Sequence, residues 1–245
     1  MLNYLKYGFR WATQSKTKEG ILKSKQEILK KPKRFEIINF VLSQLNRETT
    51  YLEIGVRNPD DNFNKINSKI KFSLDPGVEF KSNPADFKLT SDAFFEQLNS
   101  NEILSSDTLF DVIFIDGLHL AEQVDRDILN SFKFLKPDGY ILMHDCNPPT
   151  EWHAREDYYF NMTPAKGYWN GTTWKAFVKW RSNPEIQSCC IDSDWGVGVL
   201  SKTLKLGNPI PVSNIFFEFN TFAKNRKYYI NLLSFDDFKK VFVSK

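Results

Sequence analysis

Two groups of residues in this chain have the types and spacing to do chemistry. The first is the run Thr50-Tyr51-Leu52-Glu53-Ile54-Gly55, apolar, ending in an acid and breaking at a glycine, followed by Asp75 at the end of the next apolar run, Ile70–Leu74. In an open parallel sheet a small residue after the first strand lets a ligand approach the backbone, and an acid about 20 residues on grips a ribose diol. Glu53, Gly55 and Asp75 are therefore expected to hold a nucleoside. Val56, Arg57, Asn58, Pro59, Asp60 and Asp61 follow Gly55, without the spaced glycines that seat a pyrophosphate on backbone N–H groups. That argues against a dinucleotide. The second group gathers all three histidines, His119, His144 and His153, with two carboxylates, Asp116 and Asp145. Chemistry at a hydroxyl requires positioning and removal of its proton, by a base near neutral pKa or by a metal that acidifies the hydroxyl. Imidazole suits the first task and paired carboxylates the second.

Alternating elements must position these residues. Arg34 to Asn46 places Phe35, Ile38, Val41, Leu42 and Leu45 on one helical face. Strands are expected at 50–55, 70–75, 87–90 (a short third strand), 109–116 and 140–143, the last after a turn at Lys136-Pro137-Asp138-Gly139. Helices are expected between them, including Ala93–Leu98 with Ser91 or Asp92 as its cap, one ending near Leu135, and a later one from Thr172 to Arg181; Trp195–Leu200 reads as a final strand. Repeated strand-then-helix order points to a doubly wound parallel sheet, with ligands outside the carboxyl ends of its strands. Asp116 and Asp145 stand at such ends.

The Glu-Ile-Gly turn followed by Asp75 resembles the class I S-adenosylmethionine-dependent methyltransferases, over about Thr50 to Leu200. Arg57 occupies the place of that family's second glycine. Ile115-Asp116-Gly117-Leu118-His119 and His144-Asp145 resemble a bacterial subgroup acting on sugar or small-molecule hydroxyls. The resemblance implies a Rossmann-like, doubly wound, mostly parallel seven-stranded α/β sheet with N-terminal helices and an aromatic insert. It divides the chain into an N-terminal helical arm (1–46), a methyltransferase domain (47–205, with 151–183 as substrate lid) and a C-terminal extension (206–245). It also implies S-adenosylmethionine held by Glu53, Gly55, Asp75, Asp92 near the adenine amino group, and Asp116, with His119, Asp116 and Asp145 catalytic. Asp116 and Asp145 lie where metal-dependent O-methyltransferases keep magnesium ligands, although Cys146, a poor magnesium ligand, follows Asp145 and Asn147 comes one position later.

Composition bounds the remainder. The chain has 245 residues, 41% hydrophobic and 26% charged, ordinary for a soluble globule. No run of 18 apolar residues and no leader pattern occurs, so a cytoplasmic protein is expected. The three cysteines, Cys146, Cys189 and Cys190, suit neither a disulfide framework nor a zinc site and are read as reduced thiols. The formal charge of +3 divides into +8 over residues 1–34, with ten Lys or Arg against two Glu, and −5 over the rest. In that basic arm Ile21, Leu22, Ile28 and Leu29 are expected to form an apolar stripe packed on the catalytic body, with a cationic back open to an acidic partner or anionic surface. A net-acidic body opposes nucleic acid; a sugar or small-molecule acceptor is expected, and a homo-oligomer is left open. From Glu151 to Trp180 nine aromatic residues accompany Asn170, Thr172 and Thr173, read as a substrate lid whose rings face a sugar and whose polar groups bond its hydroxyls, with Trp195 across the pocket. The competing readings are redox chemistry with another nucleoside cofactor, an iron hydroxylase-like site of His119, Asp116 and Asp145, and a non-catalytic partner subunit hinted at by Arg57.

Overall fold

The computed structural model describes residues 2–79, 82–160 and 162–243. Three helices lead, α1 (Leu2–Thr13), α2 (Ser15–Leu29) and α3 (Arg34–Ser43), and are followed by β1 (Thr50–Ile54), β2 (Ile70–Leu74), α4 (Ser91–Asn99), β3 (Phe110–Ile115), α5 (Ala121–Lys133) and β4 (Leu135–Met143). After a long irregular segment come α6 (Thr173–Trp180), β5 (Gln187–Ile191), β6 (Val197–Ser201), α7 (Phe219–Lys224), α8 (Arg226–Ile230), β7 (Leu232–Leu233) and α9 (Phe235–Val243).

The strands form one seven-stranded sheet in the order β2-β1-β3-β4-β6-β5-β7. β2, β1, β3 and β4 run parallel, β6 is antiparallel to both β4 and β5, and β7 pairs parallel with β5. β1 and β3 are buried on both faces, as near-continuous apolar runs require. Alternate residues serve opposite layers. Leu52, Ile54, Ile113 and Ile115 pack with Phe94 of α4, Ile128 of α5 and Phe177 of α6, whereas Tyr51, Val112, Phe114 and Leu142 pack with Ile38 and Val41 of α3 and Phe238 of α9. The arm's third helix and the C-terminal extension thus belong to the same body as the central segment. Strand order reverses at β1, flanked by β2 and β3, and this switch point places ligands at the carboxyl ends.

Several expectations need correction. The third strand is only an isolated bridge between Leu74 and Phe87. The Asp86 carboxylate takes the Ser73 N–H at 2.9 Å and Ser73 hydroxyl at 2.8 Å, and Thr90 already caps α4, accepting from the Ala93 N–H at 3.3 Å. Too few residues remain for a ladder, and Thr90 replaces Ser91 or Asp92 as cap. The expected turn at 136–139 is instead an irregularity inside β4, where pairing jumps from Phe110↔Leu135 to Val112↔Tyr140. β5 was not expected; it carries Cys189 and Cys190, which with Cys146 are free and buried.

The arm inverts its expected face. α2 buries Thr17, Gly20, Ser24 and Glu27, while Leu22, Ile28 and Leu29 are exposed. The reason is close approach. A Cβ on Gly20 would lie 2.5 Å from the Pro164 carbonyl oxygen, and Ser24 Oγ is 2.9 Å from His153 Nε2, so only small side chains fit between α2 and the segment it covers. Among the described residues no helix is long and apolar enough to cross a membrane.

Candidate active site

A cavity of about 630 Å³ opens at the carboxyl ends of β1, β2, β3 and β4, lined by Glu53, Gly55, Asp75, Asp116, His119 and Asp145 among others. Each stands where its strand stops. The sequence-expected residues converge there, with one exception. Asp92 is outside the lining; as the second residue of α4 it is half-buried, accepts from Gln123 at 3.4 Å and pairs with Arg126 at 3.2 Å. Ser91, Gln123 and Asp127 line that end of the cavity instead. Asp127 accepts from the Ser91 hydroxyl at 2.6 Å and from Gln123 at 2.9 Å, and burial raises its pKa to about 6.

Gly55 has φ +89°, and a Cβ there would collide with the Asp116 carbonyl. Its missing side chain therefore lets two strand ends of the protein meet, a constraint additional to any ligand approach. The Glu53 carboxylate is buried and accepts from the Tyr51 hydroxyl at 2.7 Å and Asn62 at 2.8 Å. Burial outweighs these bonds and raises its pKa to about 7. Asp75 bridges the turn above Gly55, accepting from the Val56 N–H at 3.1 Å and the Gly77 N–H at 2.6 Å.

His119 lies between the two strand-end acids. Its Nε2 is 3.1 Å from Asp116 Oδ1, and its Nδ1, which has no hydrogen-bond partner, is 3.2 Å from Asp145 Oδ2. The ring stacks on Trp169, with centroids 5.3 Å apart. Burial pulls the His119 pKa down, but Asp145 and Asp116 outweigh burial and the net shift is upward. His144 is likewise raised well above its ordinary value: burial opposes the charge, and Asp145 and Asp116, 3.1 and 3.2 Å from its Nδ1, favour it. Burial pushes Asp116 up, yet His144 and Arg34 hold it well below the carboxylate range.

Sequence reasoning missed Arg34 and Asp194. Arg34, at the start of α3, places Nε 3.6 Å from Asp116 Oδ2 and Nη1 3.3 Å from Asp194 Oδ2, while Asp194 Oδ2 is also 3.7 Å from His144 Nε2. The Asp-rich turn at 192–196 was the available signal. There Asp194 and Trp195 adopt φ +45° and +66°, and Trp195 lines the cavity.

Asp116, His144 and Asp145 each turn one ligand atom to within 4.8 Å of the others, and these residues would hold a divalent cation. Two carboxylates and an imidazole suit manganese, iron or zinc better than magnesium, which prefers oxygen. The Cys146 thiol turns away, toward the Met143 and His144 carbonyls at 3.7 and 3.6 Å. Asn147 is also turned away, bonded to Asp192 and Arg226.

The aromatic insert splits in two. Tyr158, Tyr168 and Trp169 line the cavity, whereas Trp174 and Phe177 belong to the core under the sheet, so α6 is no lid. Asn170, Thr172 and Thr173 are buried and do not face an acceptor as expected. Asn170 donates to Asp145 Oδ1 at 2.6 Å, and the Thr172 hydroxyl accepts from the Ala121 N–H at 2.8 Å at the start of α5. His153 is buried between Thr150 and Ser24 and is structural; burial, and then Arg155, lower its pKa to about 3.

Residues 40–146 match the family model described as a methyltransferase domain. Curated proteins give no match. Among solved structures the chain is similar to the O-methyltransferase from Bacillus cereus in complex with SAH, at 14% identity over 78% of this chain and 92% of that one, TM-score 0.42. It is also similar to the MycE methyltransferase of the mycinamycin biosynthetic pathway in complex with Mg, SAH and mycinamycin VI, at 15% identity over 73% and 51%, TM-score 0.42. A third is the O-methyltransferase TomG from Streptomyces achromogenes in complex with SAM, at 10% identity over 78% and 90%, TM-score 0.42.

Proposed function

We propose that this chain, an S-adenosylmethionine-dependent methyltransferase through the methyltransferase domain at 40–146, methylates a hydroxyl group of a sugar or other small metabolite, with His119 as general base. The observation that carries this reading is the placement of His119 between Asp116 and Asp145 at the cavity, its ring fixed against Trp169. A proton on Nε2 donated to Asp116 leaves Nδ1, buried without a hydrogen bond 3.2 Å from Asp145, as the nitrogen that would take the acceptor's proton once the ring is uncovered. Asp145 beside it stabilises the imidazolium that forms. Bound S-adenosylmethionine would supply the methyl group, passing it to the acceptor oxygen while its sulfur leaves with the electron pair of the broken C–S bond.

Asp75 and Glu53 lie on the nucleoside side of this arrangement. Asp75 is the ribose ligand. Glu53, whose carboxylate already accepts from Tyr51 and Asn62, would line the cofactor's side of the cavity. Tyr158, Tyr168 and Trp169 supply aromatic faces for an acceptor with C–H surfaces. A second reading rests on the convergence of Asp116, His144 and Asp145: a divalent cation held there would polarise the acceptor hydroxyl.

Calorimetry with S-adenosylhomocysteine, NADH and manganese, followed by transfer of labelled methyl groups to a panel of monosaccharides, nucleotide-linked sugars and phenols, tests the proposal. Binding of S-adenosylhomocysteine and a turnover that survives chelator but drops by about 10²–10⁴-fold in His119→Ala is expected. Absence of nucleoside binding defeats the cofactor assignment; full turnover in His119→Ala that chelator abolishes hands the reaction to the metal.

A further inference from the structure

The inverted face of α2 leaves a surface that the site does not use. On α2, Lys18, Leu22, Lys25 and Leu29 follow one another at steps of four, three and four and so form one exposed row. Leu22 is 55% and Leu29 78% exposed. On α1, Leu5 and Phe9, one turn apart, are 69% and 72% exposed, with Lys6 and Arg10 beside them. Among the described residues Lys6, Arg10, Lys18, Lys23 and Lys25 form no ion pair, unlike Lys16 and Lys30, which pair with Glu151 and Asp192. Two consecutive helices therefore present large apolar side chains interleaved with uncompensated cations.

We propose that the α1–α2 face docks on an anionic membrane surface. The exposed cations of these two helices, Lys6, Arg10, Lys18, Lys23 and Lys25, complement anionic headgroups. Leucine and phenylalanine enter the boundary of the acyl region, and lysine stems lie along it with their ammonium groups in the headgroup layer. A second copy of the chain fits less well, because the cores of protein interfaces are depleted in lysine, and here lysines alternate with the leucines of a single row. A nucleic-acid backbone would use the cations and leave the leucines exposed. The inference is independent of the chemistry at the cavity.

The test is co-sedimentation of the full chain with vesicles of phosphatidylcholine alone or mixed with phosphatidylglycerol, at low and raised salt. Light scattering reports the mass in solution and thermal unfolding reports folding. The expected result is binding to the anionic vesicles only, weakened by salt and reduced at least about tenfold both by Leu22→Glu with Leu29→Glu and by Lys18→Glu with Lys25→Glu. The four positions are exposed, so unfolding midpoints should stay within a few degrees of the parent. Equal binding to neutral vesicles, no binding at low salt, or binding that both double variants retain overturns the proposal. So does a dimer in solution that the leucine variants dissolve, which would assign the face to a second copy.

Discussion

The chain contains three histidines, and the structure gives each a different titration, so a single NMR experiment on chelator-treated protein tests the electrostatics of the site without an acceptor. Burial and Arg155 keep His153 neutral down to about pH 3. His119 and His144 should instead hold their protons above the ordinary value of 6.5. The informative perturbation is Asp145→Asn. Asp145 has φ +61°, a conformation Asn tolerates as well as Asp, and an amide oxygen still accepts from Asn170, while an NH2 group replaces the Oδ2 that faces both imidazoles and so removes the charge together with that acceptor. Charges about 4 Å apart at an effective dielectric of ~20 interact by ~4 kcal/mol, a ceiling of ~3 pH units at ~1.4 kcal/mol each. With that charge shared between two imidazoles, the His119 titration should fall by about 1–2 units. Because a base must be unprotonated, the same shift would move the rising limb of turnover toward lower pH. Ring carbon shifts, assigned by His144→Gln and His153→Gln, provide the measurement. A His119 that titrates at or below 6.5 in the parent, or that ignores Asp145→Asn, refutes the claim that the acids hold its proton.

Three other outcomes follow from the geometry. Gly55→Ala should destabilise the fold by about 2–4 kcal/mol in denaturant unfolding, since its Cβ meets the Asp116 carbonyl and φ is +89°; stability within about 0.5 kcal/mol of the parent would show that the strand ends can part. Asp75→Ala should weaken S-adenosylhomocysteine about ten- to a hundredfold by calorimetry through lost charge-assisted bonds to the ribose, and unchanged affinity removes Asp75 from the cofactor. Hydrogen exchange should divide the aromatic insert, with amides around 157–160 exchanging fast and slowing with S-adenosylhomocysteine while those of α6 are protected throughout; uniform protection would make the whole insert core.

The strand ends were legible because apolar runs with terminal acids repeat at regular spacing, and Gly55, Asp75, Asp116 and Asp145 fall at their stops. What escaped depends on contacts that no local pattern encodes. Arg34 meets Asp194 across 160 residues, and neither belongs to a periodic feature that points at the other. The buried face of α2 escaped because its residues are small or polar, so hydrophobic periodicity selected the opposite, exposed row. β5 was hidden by Gln187-Ser188-Cys189-Cys190-Ile191, in which Ile191 alone is β-branched and no residue is aromatic. Asn170 and Thr172 were assigned to an acceptor because polar residues among aromatics suggest a sugar site, while the fold spends them on Asp145 and on the first turn of α5.

The site also explains why arm and insert accompany the domain matched at 40–146. His119, Asp145, Asp194 and Trp195 all have positive φ, between +45° and +66°, and such conformations cost of order 1–3 kcal/mol each and persist only where neighbours over-determine them. The neighbours are identifiable. The His119 carbonyl accepts from the Thr172 N–H at 2.8 Å, and Gly171 lies so close that a Cβ would strike it. Asp145 is fixed by Asn170, and Asp194 by the Arg34 backbone N–H at 2.9 Å and by Lys33 at 3.3 Å. Residues 170–172 end the insert, and Lys33 and Arg34 begin α3. The central strands therefore deliver the acids and the imidazole to one place. The flanking segments supply the contacts that hold them there against the cost of their positive-φ backbone.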